Sequence, residues 1–296
     1  MKRLATAVVA SGLLIAACGS DSPTSAPATT QAAVTLPAAV SGTAAECAAD
    51  KTLASGALTI ATGDPAFPPY VIDNKPESGN GFEAAIALAV AKHMGFEGAA
   101  VSWIRTGFDA AIAPGPKDFD FNLQQFSINP EREQVVTFSD PYYTANQAVL
   151  GYADGPAASI TSLDDLKSLK LGAAAGTTSL AFITDVIKPT AEPFAFNSNA
   201  DAKTALDNKQ IDVIITDLPT GLYISAAEIE GTKVFGQFPV GAGGAGDAWG
   251  LLFSKDNPLV ECANLAIAEL TDSGELATIE AKWMSEYTEA PTLAFG

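Results

Sequence analysis

From Leu58 onward, short apolar runs alternate with stretches of helical periodicity, and midway along the chain the alternation begins again. Leu58 to Thr62 reads as a strand. Gly81-Phe82-Glu83 opens a helix in which Phe82, Ile86, Val90 and Met94 recur at helical spacing until Gly95 stops it. Val101 to Ile104 reads as a second strand, Phe108 to Ile112 as a short helix ended by Pro114, and Phe119 to Ile128 as a third strand. Such alternation predicts βαβ units on a mostly parallel sheet, an α/β fold. The restart comes at Ser162, which caps a helix to Leu169. It continues with strands at Leu171 to Ala174, Phe194 to Phe196 and Ile211 to Thr216, and with helices at Thr177 to Ile187 and Ala200 to Leu206. A second α/β lobe therefore covers about residues 150 to 240. Trp249 to Phe253 reads as a strand, followed by helices from Pro258 to Leu270 and from Leu276 to Met284. By pattern alone these last elements either extend the second lobe or return to the first.

A length of 296 residues accommodates two domains. With 48% hydrophobic and 17% charged residues, the body buries a core and disorder is local. Thirty-four acidic residues against 16 basic ones give a formal charge of -18, which repels phosphate backbones and anionic lipid headgroups. No nucleic-acid partner is expected. The single histidine, His93, is too few for most histidine metal sites and argues against a Ser-His-Asp triad, so no metal or cofactor is expected.

Lys2 and Arg3 precede an apolar run from Leu4 to Ala17, which is too short to span a bilayer and right for an export signal. The run ends in Ile15-Ala16-Ala17-Cys18, which looks like a bacterial lipobox. Residues 1–17 are thus expected to be a lipoprotein signal peptide, with Cys18 the lipidated residue; the competing reading is a soluble-export signal with an incidental cysteine. Residues 18–46, rich in Ser, Thr, Pro and Ala, read as a disordered tether. The expected location is the extracytoplasmic face of the cell membrane, attached through lipid. In an exported chain a disulfide is chemically permitted, and Cys47 and Cys262 are expected to pair; the alternative is two buried thiols.

Asn129 is a good helix N-cap and Pro130 a good first helical residue, which places Arg132 in a first turn where the macrodipole disfavours a cation. A broken local rule points to function: Arg132 holding a carboxylate with help from Ser127. The structural alternative is an ion pair with Glu131, Glu133 or Asp140. At Ala175-Gly176-Thr177-Thr178 a strand gives way to a helix start with outward backbone N–H groups, a second anion site or an ordinary cap. Asp217 ends the apolar strand from Ile211 to Ile215, where it either accepts an ammonium group or caps the helix ahead of Pro219. Phe67 and Phe108 follow strands one and two, where loop aromatics wall pockets or complete the core. Gly241, Gly243 and Gly246 spell GxGxxG, but a strand rather than a helix follows, so dinucleotide binding is rejected. His93 is read as a surface residue near a helix end, and Trp103 and Trp283 as packing.

Several segments, in order, resemble the bacterial extracellular solute-binding proteins, family 3. They are Asp64 to Tyr70, Gly81-Phe82-Glu83, Phe126 to Arg132, Phe138 to Tyr143, Gly176-Thr177-Thr178, Ile211-Asp212-Val213, and Gly274-Glu275-Leu276 with Lys282-Trp283. The resemblance implies a two-lobed periplasmic-binding-protein fold of type II, a Venus flytrap. Its first lobe would be discontinuous, 47–148 with 243–296, and its second 149–242, the chain crossing near Val149 and returning near Gly243. It also implies that Arg132 and Ser127 grip a ligand α-carboxylate from lobe one, that Thr177 and Thr178 do so from lobe two, that Asp217 takes the α-ammonium, and that Phe67 and Phe108 flank the side chain. Gln124, Gln125 and Phe126 depart from the small residues many relatives carry there, which brings Gln125 into the pocket floor. Asp64 either faces the pocket and attracts a cationic side chain, favouring arginine, lysine or ornithine, or is a loop carboxylate that caps backbone; glutamine, cystine or another polar amino acid stays open as the ligand. The implied function is an amino-acid-binding lipoprotein of an ABC importer, with the permease's transmembrane subunits as partners. Two alternatives share the fold: a cyclohexadienyl dehydratase-like enzyme and a ligand-sensing signalling receptor.

Overall fold

The computed structural model describes residues 42–238 and 247–294. The expected signal peptide, Cys18, most of the tether and the GxGxxG segment lie outside the described residues.

In chain order the elements of the first half are α1 (Ala44–Ala48), β1 (Leu58–Gly63), α2 (Phe82–His93), β2 (Val101–Thr106), α3 (Phe108–Ile112), β3 (Phe121–Leu123), β4 (Val136–Ala145), β5 (Gln147–Tyr152) and α4 (Leu163–Leu166). The second half brings β6 (Leu171–Ala174), α5 (Thr178–Ala181), β7 (Phe194–Phe196), α6 (Asn199–Asp207), β8 (Val213–Asp217), α7 (Leu218–Tyr223), β9 (Thr232–Phe238), β10 (Asp247–Ser254), α8 (Leu259–Asp272) and α9 (Glu275–Met284). They form two five-stranded sheets, ordered β2-β1-β3-β10-β4 and β7-β6-β8-β5-β9. In each sheet four strands run the same way and one, β10 in the first and β5 in the second, runs antiparallel between the last two of them.

The strand β10 and the helices α8 and α9 return to the first sheet, which settles the question the sequence pattern left open. Phe82, Ile86, Val90 and Met94 of α2 are buried with Trp249, Phe253, Ile267 and Leu270, so the helical spacing read in the sequence is the buried face of that helix. The second sheet is covered on one face by Leu166, Phe182 and Ile183 and on the other by Ala202, Leu206 and Ile224. Cys47 and Cys262 form a disulfide, Cα–Cα 5.3 Å, that fastens α1 to α8. Trp103 and Trp283 pack on the core of lobe one.

Several expectations need correction. Folding begins before residue 47: Thr43-x-x-Glu46 makes a reciprocal capping box, and Ala44 is fully buried. The third strand covers only Phe121–Leu123, because the chain turns out of the ladder at Gln125, whose φ is +49°. The helix expected from Asn129 is a three-residue 3-10 turn, Arg132–Gln134, with the Arg132 N–H donating to Asn129 Oδ1 at 2.9 Å. So short a turn carries little macrodipole, and the dipole argument for Arg132 falls away. The chain passes from the first sheet to the second at Asn146, between β4 and β5.

The last residues leave lobe one. Gln237 N–H donates to Pro291 O (2.8 Å) and Leu293 N–H to Gln237 O (3.0 Å), so the tail covers β9, the edge strand of the second sheet. Leu293 is buried in the lobe-two core against Gly236, where a Cβ would stand 2.5 Å from Leu293 Cγ. His93 is more than a surface residue: it bridges Glu269 (2.7 Å) and Glu275 (3.2 Å), joining α2 to α8 and α9.

Candidate functional site

The carboxyl ends of β1, β2 and β3 in lobe one meet those of β6 and β8 in lobe two across a cleft of about 240 Å³. Ligands of open α/β sheets collect at such strand ends, where connecting loops supply donors and acceptors. Contacts bridge the cleft directly: Tyr70 Oη lies 2.9 Å from Thr220 Oγ1, and Ser127 Oγ lies 3.3 Å from Thr178 Oγ1.

Arg132 is 6% exposed and borders the cleft. Its Nη1 donates to Ser127 O (2.8 Å) and its Nη2 to Gly176 O (3.0 Å), so one guanidinium touches both lobes. The plane lies over the Phe108 ring, 5.3 Å from its centroid, and Phe108 in turn stacks on Phe126 at 5.0 Å. Among the described residues no ion pair with Glu131, Glu133 or Asp140 forms, which removes the structural alternative raised by the spacing. Burial pushes the guanidinium pKa down, with Asp247 and Asp217 opposing the shift. A buried cation with donors to spare is built to receive an anion.

Thr177 and Thr178 divide their roles. The Thr177 hydroxyl accepts from Leu180 N–H (3.2 Å) and donates to Ala174 O (2.7 Å), so its side chain is the ordinary cap. The Thr178 hydroxyl donates to Asp247 Oδ2 at 2.7 Å. Asp217 makes no side-chain cap to α7; it borders the cleft and accepts from Gln147 Nε2 at 3.1 Å. Burial first, and then Asp247, hold its carboxyl well above the usual carboxylate range.

Phe67 and Gln125 line the cleft as expected, but Asp64 does not. Asp64 is exposed, and the wall next to it is formed by Pro65, Ala66 and Phe67. The carboxylate at the cleft floor is Glu83, 2% exposed. It accepts from Gln125 N–H (2.7 Å), from the Gln125 side-chain amide and from the Tyr142 hydroxyl (2.5 Å). Desolvation outweighs these bonds and raises its pKa to about 7. Reading the sequence missed the role of Glu83, because an acid in a first helical turn looks like a dipole partner. Asp247 was missed as well. Among the described residues no cluster of metal-ligating side chains occurs, and no helix is long and apolar enough to cross a membrane.

Fold and cleft together define a two-lobed extracytoplasmic binding protein. The chain belongs to the bacterial extracellular solute-binding proteins, family 3, whose family model matches residues 58–286. An arginine-binding extracellular protein of Bacillus subtilis is 28% identical over 213 residues, 69% of this chain and 78% of the relative. An L-cystine-binding protein of Escherichia coli is 26% identical over 218 residues, 73% of this chain and 79% of the relative. Among solved structures, an ancestral arginine-binding protein bound to arginine superposes with a TM-score of 0.65 at 30% identity, covering 77% of this chain and 98% of that one.

Proposed function

We propose that this chain is the receptor of an ABC importer and that its ligand is an L-α-amino acid with a cationic side chain: arginine, lysine or ornithine. The observation that carries this reading is the charge distribution of one cleft, where Arg132 stands opposite Asp217 with Glu83 buried at the floor. An amino acid zwitterion satisfies Arg132 and Asp217 and brings no net charge. Among the described residues the carboxyls lining this cleft, Glu83, Asp109 and Asp217, outnumber its one guanidinium, Arg132, so a side-chain cation completes the balance. Arg132, Ser127 and the backbone at Thr177 and Thr178 take the α-carboxylate, Asp217 takes the α-ammonium, and Phe67 and Phe108 flank the stem of the side chain. The names of several relatives support the class, including the arginine binders.

Neither lobe alone offers the complete set of partners. The ligand therefore stabilises the closed arrangement through contacts that only closure provides, and expels water as the lobes meet. The permease reads the closed surface, and the receptor is held at the extracytoplasmic face through lipid on Cys18 after removal of residues 1–17.

A second reading rests on Glu83: a buried carboxyl with a pKa of about 7 suits a general acid. A solved structure 28% identical to this chain is an ancestral amino acid-binding protein described as a precursor of cyclohexadienyl dehydratase. A thermal-shift panel of free amino acids on protein stripped of carried-over ligand tests the first reading. At 100 times its dissociation constant a ligand contributes about 2.7 kcal/mol, raising Tm by roughly 5 to 10 °C. A shift with arginine, lysine or ornithine supports the proposal. Turnover of prephenate or arogenate without any amino acid shift would overturn it in favour of the enzyme.

A further inference from the structure

Asp247 opens β10, the strand by which the chain re-enters lobe one, and its carboxylate is half-buried at the junction of the lobes. One of its oxygens, Oδ2, accepts two hydrogen bonds from lobe-two elements: Thr178 Oγ1 at 2.7 Å and Gln147 Nε2 at 2.7 Å. The same Gln147 nitrogen also reaches Asp217 Oδ1 at 3.1 Å, and Gln147 itself is 2% exposed and begins β5. Because the Thr178 hydroxyl donates to Asp247, its oxygen is free to accept from Ser127 of lobe one, 3.3 Å away. The result is a directional chain, Ser127 to Thr178 to Asp247, that runs from lobe one through lobe two to the second crossing. A branch through Gln147 reaches the first crossing and Asp217. A carboxylate acceptor strengthens each of these bonds relative to a neutral one.

We propose that Asp247 is a positioning residue that latches the closed lobes, holding Thr178 and Asp217 where the ligand meets them. It touches no ligand; it acts through Thr178 and Gln147. This inference rests on the amino acid reading of the cleft for its affinity readout and stands apart from that reading for its shape readout.

The test compares wild type, Asp247→Ala, Thr178→Val and the double variant. Dissociation constants for L-arginine are measured by calorimetry, and ligand-free radii of gyration by small-angle X-ray scattering. Asp247→Ala is expected to weaken L-arginine binding by about 10- to 100-fold, the loss associated with a hydrogen bond to a charged group. The double variant is expected to be no more than about threefold worse than the worse single one, since both cut the same chain. Ligand-free Asp247→Ala is expected to have a larger radius than wild type. Losses that multiply in the double variant, or an unchanged dissociation constant in Asp247→Ala with only a lowered Tm, would overturn the latch. If Asp247→Ala does not fold, Asp247→Asn carries the same comparison, with a smaller loss because an acceptor oxygen remains. If wild type binds no amino acid at all, the ligand reading fails on its own. The ligand-free radii then decide the latch: a larger one in the variant upholds it, and equal radii refute it.

Discussion

Gly176 of lobe two and Asp109 of lobe one meet across the cleft so closely that a Cβ on Gly176 would stand 2.5 Å from Asp109 Oδ1. The backbone at Gly176 has φ +70°, a conformation that costs an L-residue roughly 1–2 kcal/mol. Gly176 O also accepts from Arg132 Nη2. Conformation, space and a bond to the Arg132 guanidinium therefore all act on one residue.

Gly176→Ala is accordingly expected to obstruct closure rather than folding. We expect L-arginine affinity to fall at least about tenfold, with the melting temperature of the ligand-free protein lowered by no more than about 8 °C for the strain in φ. Calorimetry and thermal melts check the two halves; an unaltered dissociation constant would mean that the lobes do not approach at this point.

Glu83 gives a pH prediction. Its folded pKa, about 7, lies above the ordinary value of 4.5, so the native state holds a proton that the unfolded chain has released between those values. Stability of the ligand-free protein should therefore fall as pH rises from 4.5 towards 7, at up to about 1.4 kcal/mol per unit. A cationic ligand prefers the ionised carboxyl, so affinity for L-arginine should rise over pH 6 to 8. Glu83→Gln should flatten both profiles and weaken L-arginine binding. A wild-type affinity that is constant over that range would place the side-chain cation elsewhere.

His93 carries a separate pH dependence through Glu269 and Glu275. Its pKa is raised by those partners against desolvation, and that of Glu269 is lowered by Ala44 N–H and His93. The His93 contribution is present below 6.5 and lost as pH rises through its higher folded value; the Glu269 contribution is present above 4.5 and lost on acidification. The groups remain partly open to solvent, so His93→Gln should cost under about 1 kcal/mol, and melts at pH 5.5 should lose more than melts at pH 8.5.

The Cys47–Cys262 bridge closes a loop between residues 215 apart and lies away from the cleft. The double replacement by Ser should destabilise the protein by about 2–4 kcal/mol in denaturant unfolding and leave the L-arginine dissociation constant as it is.

What the sequence made legible follows from how local the information was. The α/β alternation and the buried stripe of α2 are periodic signals, and both survive in the structure. Arg132 was legible through a helix-start argument that proved too strong, since the turn has three residues; its burial over Phe108 is the better reason. Glu83 and Asp247 owe their character to tertiary neighbours, Tyr142 and Gln125 for one and Thr178 and Gln147 for the other. Neither environment is written in adjacent residues. Asp64 was misplaced because a carboxylate after a strand reads as pocket-facing, whereas the chain turns and presents Phe67 instead. Nothing in Pro291 to Ala294 announces an edge strand far upstream, so local pattern leaves the tail with lobe one, whereas Leu293 pairs with Gln237.

The most direct test of the account is calorimetric titration of L-arginine into wild type and Arg132→Ala, both freed of carried-over ligand. Saturable 1:1 binding to wild type and a loss of at least about 100-fold in Arg132→Ala, with the variant still folded by circular dichroism, is the predicted result. Equal affinity in the two proteins would contradict it, because the carboxylate of the ligand would then be held without Arg132, the one buried cation that borders the cleft among the described residues.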